Sequence, residues 1–328
     1  MYQSCVKGTG SYLPKKELTN KDLEKIVETS DEWILSRTGI ASRHIAADNE
    51  VTSDLAKIAA ERAIEAAGIS VKDIDFIFFA TTTPDQIMPN SASVLQHKLG
   101  ASHCGALDVT AACSGFLYCH SIADQMIRSG AYKNILVVGA EVLSRFVDYE
   151  DRTTCILFGD GAGAAIISRA EQNSESKVYG HKLAADGSLG DLLALPAGGS
   201  ALPARQNTVD EKLHFVKMNG REIFKAAVRT MAKCCAEVLE TTKMQAEQID
   251  WLIPHQANTR IVEAVVKQFD FPMDKVIIEI ERMGNTSAAT IPVALDKAVR
   301  DGRIQRGQNI MFTAFGGGLT SGSLFIKY

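Results

Sequence analysis

The apolar positions of this chain follow two alternating patterns, and the alternation itself repeats. From about Ala56 the stretch AKIAAERAIEAAG places small and aliphatic residues at helical spacing. After a short linker it gives way to IDFIFFATTT, a continuous apolar run that suits a strand buried on both faces. A helix followed by a central strand is predicted there. The same phrase returns 175 residues later as CCAEVLETTKMQAEQIDWLIPHQAN, with Ile74-Asp75 falling on Ile249-Asp250 and Phe76-Ile77 on Trp251-Leu252. At the same offset Asn134-Ile135, opening the apolar run NILVVGAE, falls on Asn309-Ile310, opening NIMFTAFGGG. Two matches at one offset point to a duplicated half. Strand-like tails, GAGAAIIS and SGSLFIKY, end both halves at a smaller offset, which an insertion of about sixteen residues near positions 144 to 158 explains.

Helix, strand, a turn with a further helix, then another buried strand is the α/β pattern of a mostly parallel sheet covered by helices. The halves are expected at residues 1–170 and 171–328, packed as pseudo-symmetric partners. Between about 171 and 215 the periodicity fades into EQNSESK, ADGSLGD and LPAGGSALPARQN, rich in Gly, Ser, Asp and Pro. The connection between halves is placed there, where it could also reach over a substrate entrance.

Composition narrows the function classes. The chain has 328 residues, 46% of them apolar and 23% charged, an ordinary soluble globular balance that rules out disorder. A net charge of −4 without a basic block argues against nucleic acid. No run of 18 or more apolar residues suggests a membrane span, and MYQSCVKGTGSYLP has neither the positive nor the apolar region of a signal peptide, so a cytoplasmic protein is expected. The seven cysteines form no CxxC pair and no Cys/His run of zinc-finger spacing, and read as free thiols in a reducing compartment, with no metal site.

Among those thiols, Cys113 stands apart. In LDVTAACSGFLYCHSIADQMI an apolar run ends in Thr-Ala-Ala and a helical pattern begins at or just after the cysteine. Unpaired N–H groups and the positive end of the helix macrodipole favour a thiolate at such a place, although a buried cysteine can equally be a small hydrophobe in the core. His255 follows the buried strand IDWLIP in PHQAN, at a strand end, where ligands gather on α/β sheets; the other histidines lack that context. Asn285, in RMGNTSAAT, falls on Thr110 under the 175-residue offset and so lies opposite Cys113, though asparagine after glycine is often a cap or turn residue. FGDGAGAA is no dinucleotide loop, because a strand-like AAIIS follows where a helix is required. AFGGGLTSG is either a tight turn or a place where backbone N–H groups approach a ligand, as in an oxyanion hole. Trp33 and Arg37, four apart in a helix opened by Ser30 or Asp31, share a face on which a planar base could be held.

Taken together, SDEWILSRTGI, TAACSGF, PHQAN, GNTSAA and FGGG, in that order and spread over the whole chain, resemble the β-ketoacyl-[acyl-carrier-protein] synthase III family. The resemblance implies a thiolase-like αβαβα five-layer fold from two pseudo-duplicated halves, a homodimer, and decarboxylative condensation of a short acyl-CoA, acetyl-CoA first, with malonyl-acyl carrier protein at the start of fatty-acid synthesis. It implies that Cys113, His255 and Asn285 are catalytic and that the N–H groups of Cys113 and Gly317 form the oxyanion hole. Trp33 and Arg37 would grip the adenine of CoA, with Arg152 a further CoA contact and Asn258 lining the pantetheine tunnel. Acidic acyl carrier protein would dock on Arg260, with Lys225 and Lys267 beside it, and Met88 would lie near the position that closes the acyl pocket. CoA enters as a thioester substrate, and no metal or other cofactor is implied. The chain departs from the family in one tunnel stretch, where Arg221 in NGREIF replaces an asparagine.

A second cysteine serves thiolases as acid and base, and none occurs after Cys235, which favours decarboxylation. The rivals are a related synthase joining a different acyl group in secondary metabolism, a papain-type Cys-His-Asn hydrolase, whose CGSCW surroundings are missing, and a non-catalytic acyl-CoA binder.

Overall fold

Alternate residues of the buried strands face different helices, which is how one chain builds five layers. A computed structural model describes residues 1–328. In chain order the first part runs β1 (Ser4–Tyr12), β2 (Lys16–Thr19), α1 (Asn20–Leu23), α2 (Asp31–Thr38), β3 (Ser42–Ile45), α3 (Thr52–Ala67), β4 (Phe76–Ala80), α4 (Ser91–Leu99), β5 (Gly105–Val109), α5 (Gly115–Arg128), β6 (Asn134–Glu141), α6 (Arg152–Cys155) and β7 (Gly161–Arg169). The second runs β8 (Lys177–Ala185), β9 (Leu193–Ala194), α7 (Gln206–Asp210), β10 (Lys217–Met218), α8 (Gly220–Thr242), β11 (Trp251–Pro254), α9 (Thr259–Phe269), α10 (Ile280–Met283), α11 (Thr290–Arg300), β12 (Asn309–Gly316) and β13 (Thr320–Lys327).

One sheet has the order β1-β7-β6-β4-β5 and the other β8-β13-β12-β11, with β4, β5 and β6 parallel and β11 parallel to β12. From the first sheet, Ile77, Phe79, Leu136 and Val138 pack outward against the alanine face of α3, while Phe78, Ala80, Ile135 and Val137 pack inward. The inner residues meet α5 and α11, which share one core with Ile253, Ile310, Phe312 and Leu324 of the second sheet. On the far side Leu252, Met311 and Phe325 pack under α8 and α9. The layers are therefore αβαβα, the thiolase-like arrangement.

The 175-residue offset carries β4 onto β11, β6 onto β12, and the turn Ala112–Ser114 with α5 onto Ser287–Ala289 with α11. The counterpart of β5 is reduced to an isolated parallel bridge between Val276 and Leu252. Residues 142–160 link β6 to β7, whereas the short turn Gly317–Leu319 links β12 to β13, so the extra segment lies where the slipped offset required. One reading needs correction: residues 177–185, assigned to the connection, form β8. It is an edge strand paired with β13 alone, its polar residues half exposed, and so lacks a core strand's apolar pattern.

Candidate active site

The two equivalent turns meet between the sheets, and the site is built there. Cys113 lies in the turn Ala112–Ser114, ahead of α5. Ala112 has φ +45°, and its counterpart Ser287 has φ +48°. Left-handed backbone at a residue with a side chain is strained, and surrounding structure must hold it. Thr320 supplies part of that hold: its hydroxyl donates to Ala111 O at 2.7 Å and pairs with the Ser114 hydroxyl at 2.6 Å. At the end of β12, Gly316 abuts the same turn so closely that a Cβ there would lie 2.6 Å from Cys113 N. Gly317, next in the chain, lines a cavity with Cys113.

His255 extends from β11, its N–H donating to Thr313 O at 2.7 Å. The following residues are fixed as well: Gln256 donates to Ile277 O at 3.0 Å and accepts from Glu279 N at 2.7 Å, and Asn258 caps α9. Asn285 is strapped by its backbone, donating to Leu157 O at 2.8 Å and accepting from Gly159 N at 3.0 Å. Its Oδ1 accepts the Ser287 N–H at 2.9 Å, which leaves the Nδ2 hydrogens as its free donors.

Cys113, His255 and Asn285 line one narrow cavity of about 120 Å³, walled by Ile223, Phe224, Met231 and Phe315 among others, with no cationic side chain in its lining. Burial holds the His255 imidazole down at about 3, so the ring is neutral. Its Nδ1 is buried without a partner, while Nε2 is the nitrogen left to the cavity. The thiolate expected at Cys113 is not favoured at rest. Burial pushes the thiol up to about 12, the Ser287 hydroxyl works the other way, and the buried Glu141 carboxylate adds to the rise.

The narrow cavity opens outward into a cup of about 760 Å³ bounded by Trp33, Arg37, Thr153, Arg221, Lys225, Asn258 and Arg260, with no carboxylate in its lining. On the other side of Cys113 lies a third space of about 390 Å³, lined by Thr82, Leu143, Phe146, Phe158, Leu195, Val216 and Gly317 among others. From the loop-rich stretch between the halves, Leu193–Leu195 line the inner spaces beside Cys113, and no residue of that stretch lines the outer cup.

Most residues singled out in the sequence meet along this passage. Arg37, Arg221, Lys225, Asn258 and Arg260 line the cup, with Asn258 Nδ2 donating to Arg37 O at 3.0 Å and Lys225 paired to Glu222 at 2.9 Å. Trp33 lines the cup together with Arg37, and Arg152, reaching across from α6, puts its guanidinium 5.0 Å from the Trp33 ring centroid, a direct cation–π contact. Lys267 is exposed in the last turn of α9 and outside the cup, about 10 Å along the helix from Arg260. Met88 is 86% exposed and lines no part of the Cys113 cavities within its own chain. The walls Leu157, Phe158, Phe224 and Phe315 were missed, because an apolar residue lining a cavity has the same periodicity as one in the core.

Residues 107–187 match the model of 3-oxoacyl-[acyl-carrier-protein] synthase III and residues 239–328 that of its C-terminal part. A relative from Xanthomonas oryzae pv. oryzae, named beta-ketoacyl-[acyl-carrier-protein] synthase III, is 52% identical over 325 residues, covering 99% of this chain and 98% of its own. One of the same name from Caldanaerobacter subterraneus is 51% identical over 321 residues, covering 98% and 96%. The crystal structure of 3-oxoacyl-[acyl-carrier-protein] synthase III from Aquifex aeolicus superposes with a TM-score of 0.91 at 46% identity, over 99% and 100% of the two chains. The priming β-ketosynthase of the R1128 polyketide pathway also superposes with a TM-score of 0.91, at 32% identity over 99% and 96%.

Proposed function

This chain belongs to the β-ketoacyl-[acyl-carrier-protein] synthase III family, and we propose that Cys113, His255 and Asn285 carry its chemistry. The enzyme is an acyltransferase. It condenses acetyl-CoA with malonyl-acyl carrier protein to a 3-ketoacyl-acyl carrier protein, CoA and CO2, initiating fatty-acid synthesis. The observation carrying the residue assignment is the single passage in which a buried sulfur, a neutral imidazole and a free amide donor share one narrow cavity.

In the first half-reaction Cys113 Sγ bonds to the thioester carbonyl carbon, the bond from that carbon to the CoA sulfur breaks, and the thiol proton ends on CoA. Because the resting thiol is protonated, that transfer accompanies attack. N–H groups of Cys113 and Gly317 hold the tetrahedral oxyanion, each such donor contributing about 10²- to 10³-fold in rate. In the second, the malonyl carboxylate enters a cavity without a cation, where an unpaired charge is unfavourable. The carbon–carbon bond breaks, CO2 leaves, and the electron pair moves onto the thioester oxygen as an enolate. His255 Nε2–H and Asn285 Nδ2–H donate to that oxygen, and neither is acidic enough to quench the carbanion. The enolate carbon then bonds to the acyl carbon, and Cys113 departs as a thiolate that regains a proton from solvent.

The 390 Å³ space takes the acyl group, and the cup takes CoA, its adenine held at Trp33 and Arg37 with Arg152, which contacts the Trp33 ring, as a further contact. Carrier protein meets the outer cations, Arg260 and Lys225 at the cup and Lys267 farther along α9. A homodimer fits the uncovered edge of β5, where Leu107 is 48% exposed, and Met88 would close an acyl pocket only across that interface. No helix is long and apolar enough to cross a membrane; the cytoplasm, where acyl-CoA and carrier protein are used, is the proposed location. The secondary-metabolism rival is not favoured: the polyketide-priming relative is 32% identical, against 52% for a β-ketoacyl synthase III. A papain-type hydrolase does not fit the αβαβα layers.

Two measurements test the assignment. Acetyl-CoA should add one acetyl group to Cys113, read by intact mass and peptide mapping. His255→Ala and Asn285→Ala should retain that acylation while losing CO2 release from malonyl-acyl carrier protein. Loss of acylation in both, or full activity of Cys113→Ser, would overturn it.

A further inference from the structure

Arg43 is the largest of the fully buried side chains, at 0% exposure, and the reaction as described makes no use of it. Its guanidinium donates only to neutral acceptors: Nη1 to Leu18 O at 3.1 Å and Asn20 Oδ1 at 2.9 Å, and Nη2 to Ile156 O at 2.7 Å. No carboxylate stands against it, and Nε has no partner. A buried cation without a counter-ion is costly, so its place calls for a reason. The reason lies in what the fork joins. Ile156 opens the segment whose next residues strap Asn285, Leu157 O taking its N–H and Gly159 N–H meeting its carbonyl. The Arg43 Cβ packs beside both ends of that strap: a Cβ added at Gly159 would lie 3.0 Å from it, and one at Gly284, just before Asn285, 3.1 Å.

We propose that Arg43 is a positioning residue for Asn285, fixing its depth in the cavity by clamping segment 156–159 to the β2–α1 corner. This rests on the catalytic reading of Asn285. A planar fork can hold Ile156 O and the Leu18–Asn20 corner at once; a lysine ammonium is a single point and cannot hold both in that geometry. Arg43→Lys is therefore the informative substitution. It leaves Cys113 acylation by acetyl-CoA within about 3-fold and slows condensation of the acyl-enzyme with malonyl-acyl carrier protein about 10- to 100-fold, as a misplacement near 1 Å does.

The deciding arm is non-additivity. On an Asn285→Ala background Arg43→Lys slows CO2 release by no more than about 2-fold further, because the group it places is gone. Equal losses in both half-reactions, a full second loss on that background, or no loss at all overturns the proposal. Should Arg43→Lys fail to melt cooperatively, Asn20→Ala, which removes one acceptor of the same fork, is read by the same split. Should Asn285→Ala alone leave CO2 release intact, the catalytic reading fails. Arg43 is then judged by the crystal structure of Arg43→Lys, where Asn285 Nδ2 displaced by more than about 0.5 Å supports positioning and an unmoved amide refutes it.

Discussion

Gly316→Ala isolates the fit between the end of β12 and the nucleophile. Gly316 has φ −150° and ψ 177°, extended backbone that alanine adopts freely, so the substitution brings no conformational penalty of its own. What it brings is one carbon, 2.6 Å from Cys113 N and 3.2 Å from both Cys113 Cα and Ala112 Cβ. Non-bonded carbons settle at about 3.5 to 4.0 Å, so the strand end or the nucleophile turn must give by about 1 Å. Either movement separates the Cys113 and Gly317 N–H groups from the oxyanion they are to hold. A 1 Å misplacement can lower a rate about 100-fold, and losing an oxyanion donor about 10²- to 10³-fold. In the proposed mechanism both half-reactions pass through a tetrahedral oxyanion at Cys113, so both should fall by about that factor. Gly163→Ala is the control, its added carbon 2.7 Å from Pro292 Cβ and Val293 N, where β7 meets α11. Overpacking there should destabilise by about 1–3 kcal/mol and lower Tm without changing kcat of the folded enzyme. The assays are single-turnover acylation by intact mass, CO2 release, and a thermal melt of each variant. Gly316→Ala acylating Cys113 within about 3-fold of the unsubstituted rate, or Gly163→Ala showing the same loss as Gly316→Ala, refutes the reasoning.

Removing the Trp33 ring or the Arg152 guanidinium above it should raise KM for acetyl-CoA several-fold, an exposed cation–π contact being worth about 0.5–1 kcal/mol. Acetyl-pantetheine, which lacks the base, should show no change, and an equal effect on both thioesters would contradict an adenine site. Arg260→Glu should weaken use of malonyl-acyl carrier protein while leaving acyl transfer from CoA nearly intact, and Lys267→Glu, remote from the cup, should do less; steady-state kinetics at two salt concentrations would show the reverse order if α9's far end were the docking site. His120, buried with neither ring nitrogen partnered, is held at about 3, as is His255, both by burial. Above the unfolded value near 6.5 neither state carries the proton; below it the unfolded chain binds a proton that the folded chain refuses, so stability falls as pH drops from about 6.5 toward 3. At pH 5 each histidine removes about 2 kcal/mol, and His120→Leu should recover about that much of the difference between pH 7.5 and pH 5 in urea unfolding. An unchanged difference would mean that His120 can take a proton inside the fold.

The layers and the meeting of the halves were legible because duplication leaves a fixed offset, and the offset survives where packing constrains the chain. It carried Asn285 to the neighbourhood of Cys113, and it also relates Ala112 to Ser287, whose left-handed backbones no sequence pattern announced. What stayed hidden belongs to tertiary juxtaposition. Trp33 lies on α2 and Arg152 on α6, so their cation–π contact is a pairing that helical spacing does not show. The rise of the Cys113 thiol comes first from burial, which the sequence does not display. The same divergence explains why two similar halves make one active site. Residues 142–160 give the first half a long segment that brings Thr153, Leu157 and Phe158 to the passage and straps Asn285. In the second half only Gly317–Leu319 spans the equivalent gap, leaving room beside Cys113 for the space that would hold the acyl group. One copy carries a long segment that forms a wall and the other a three-residue turn, so the pseudo-symmetric pair encloses a single passage.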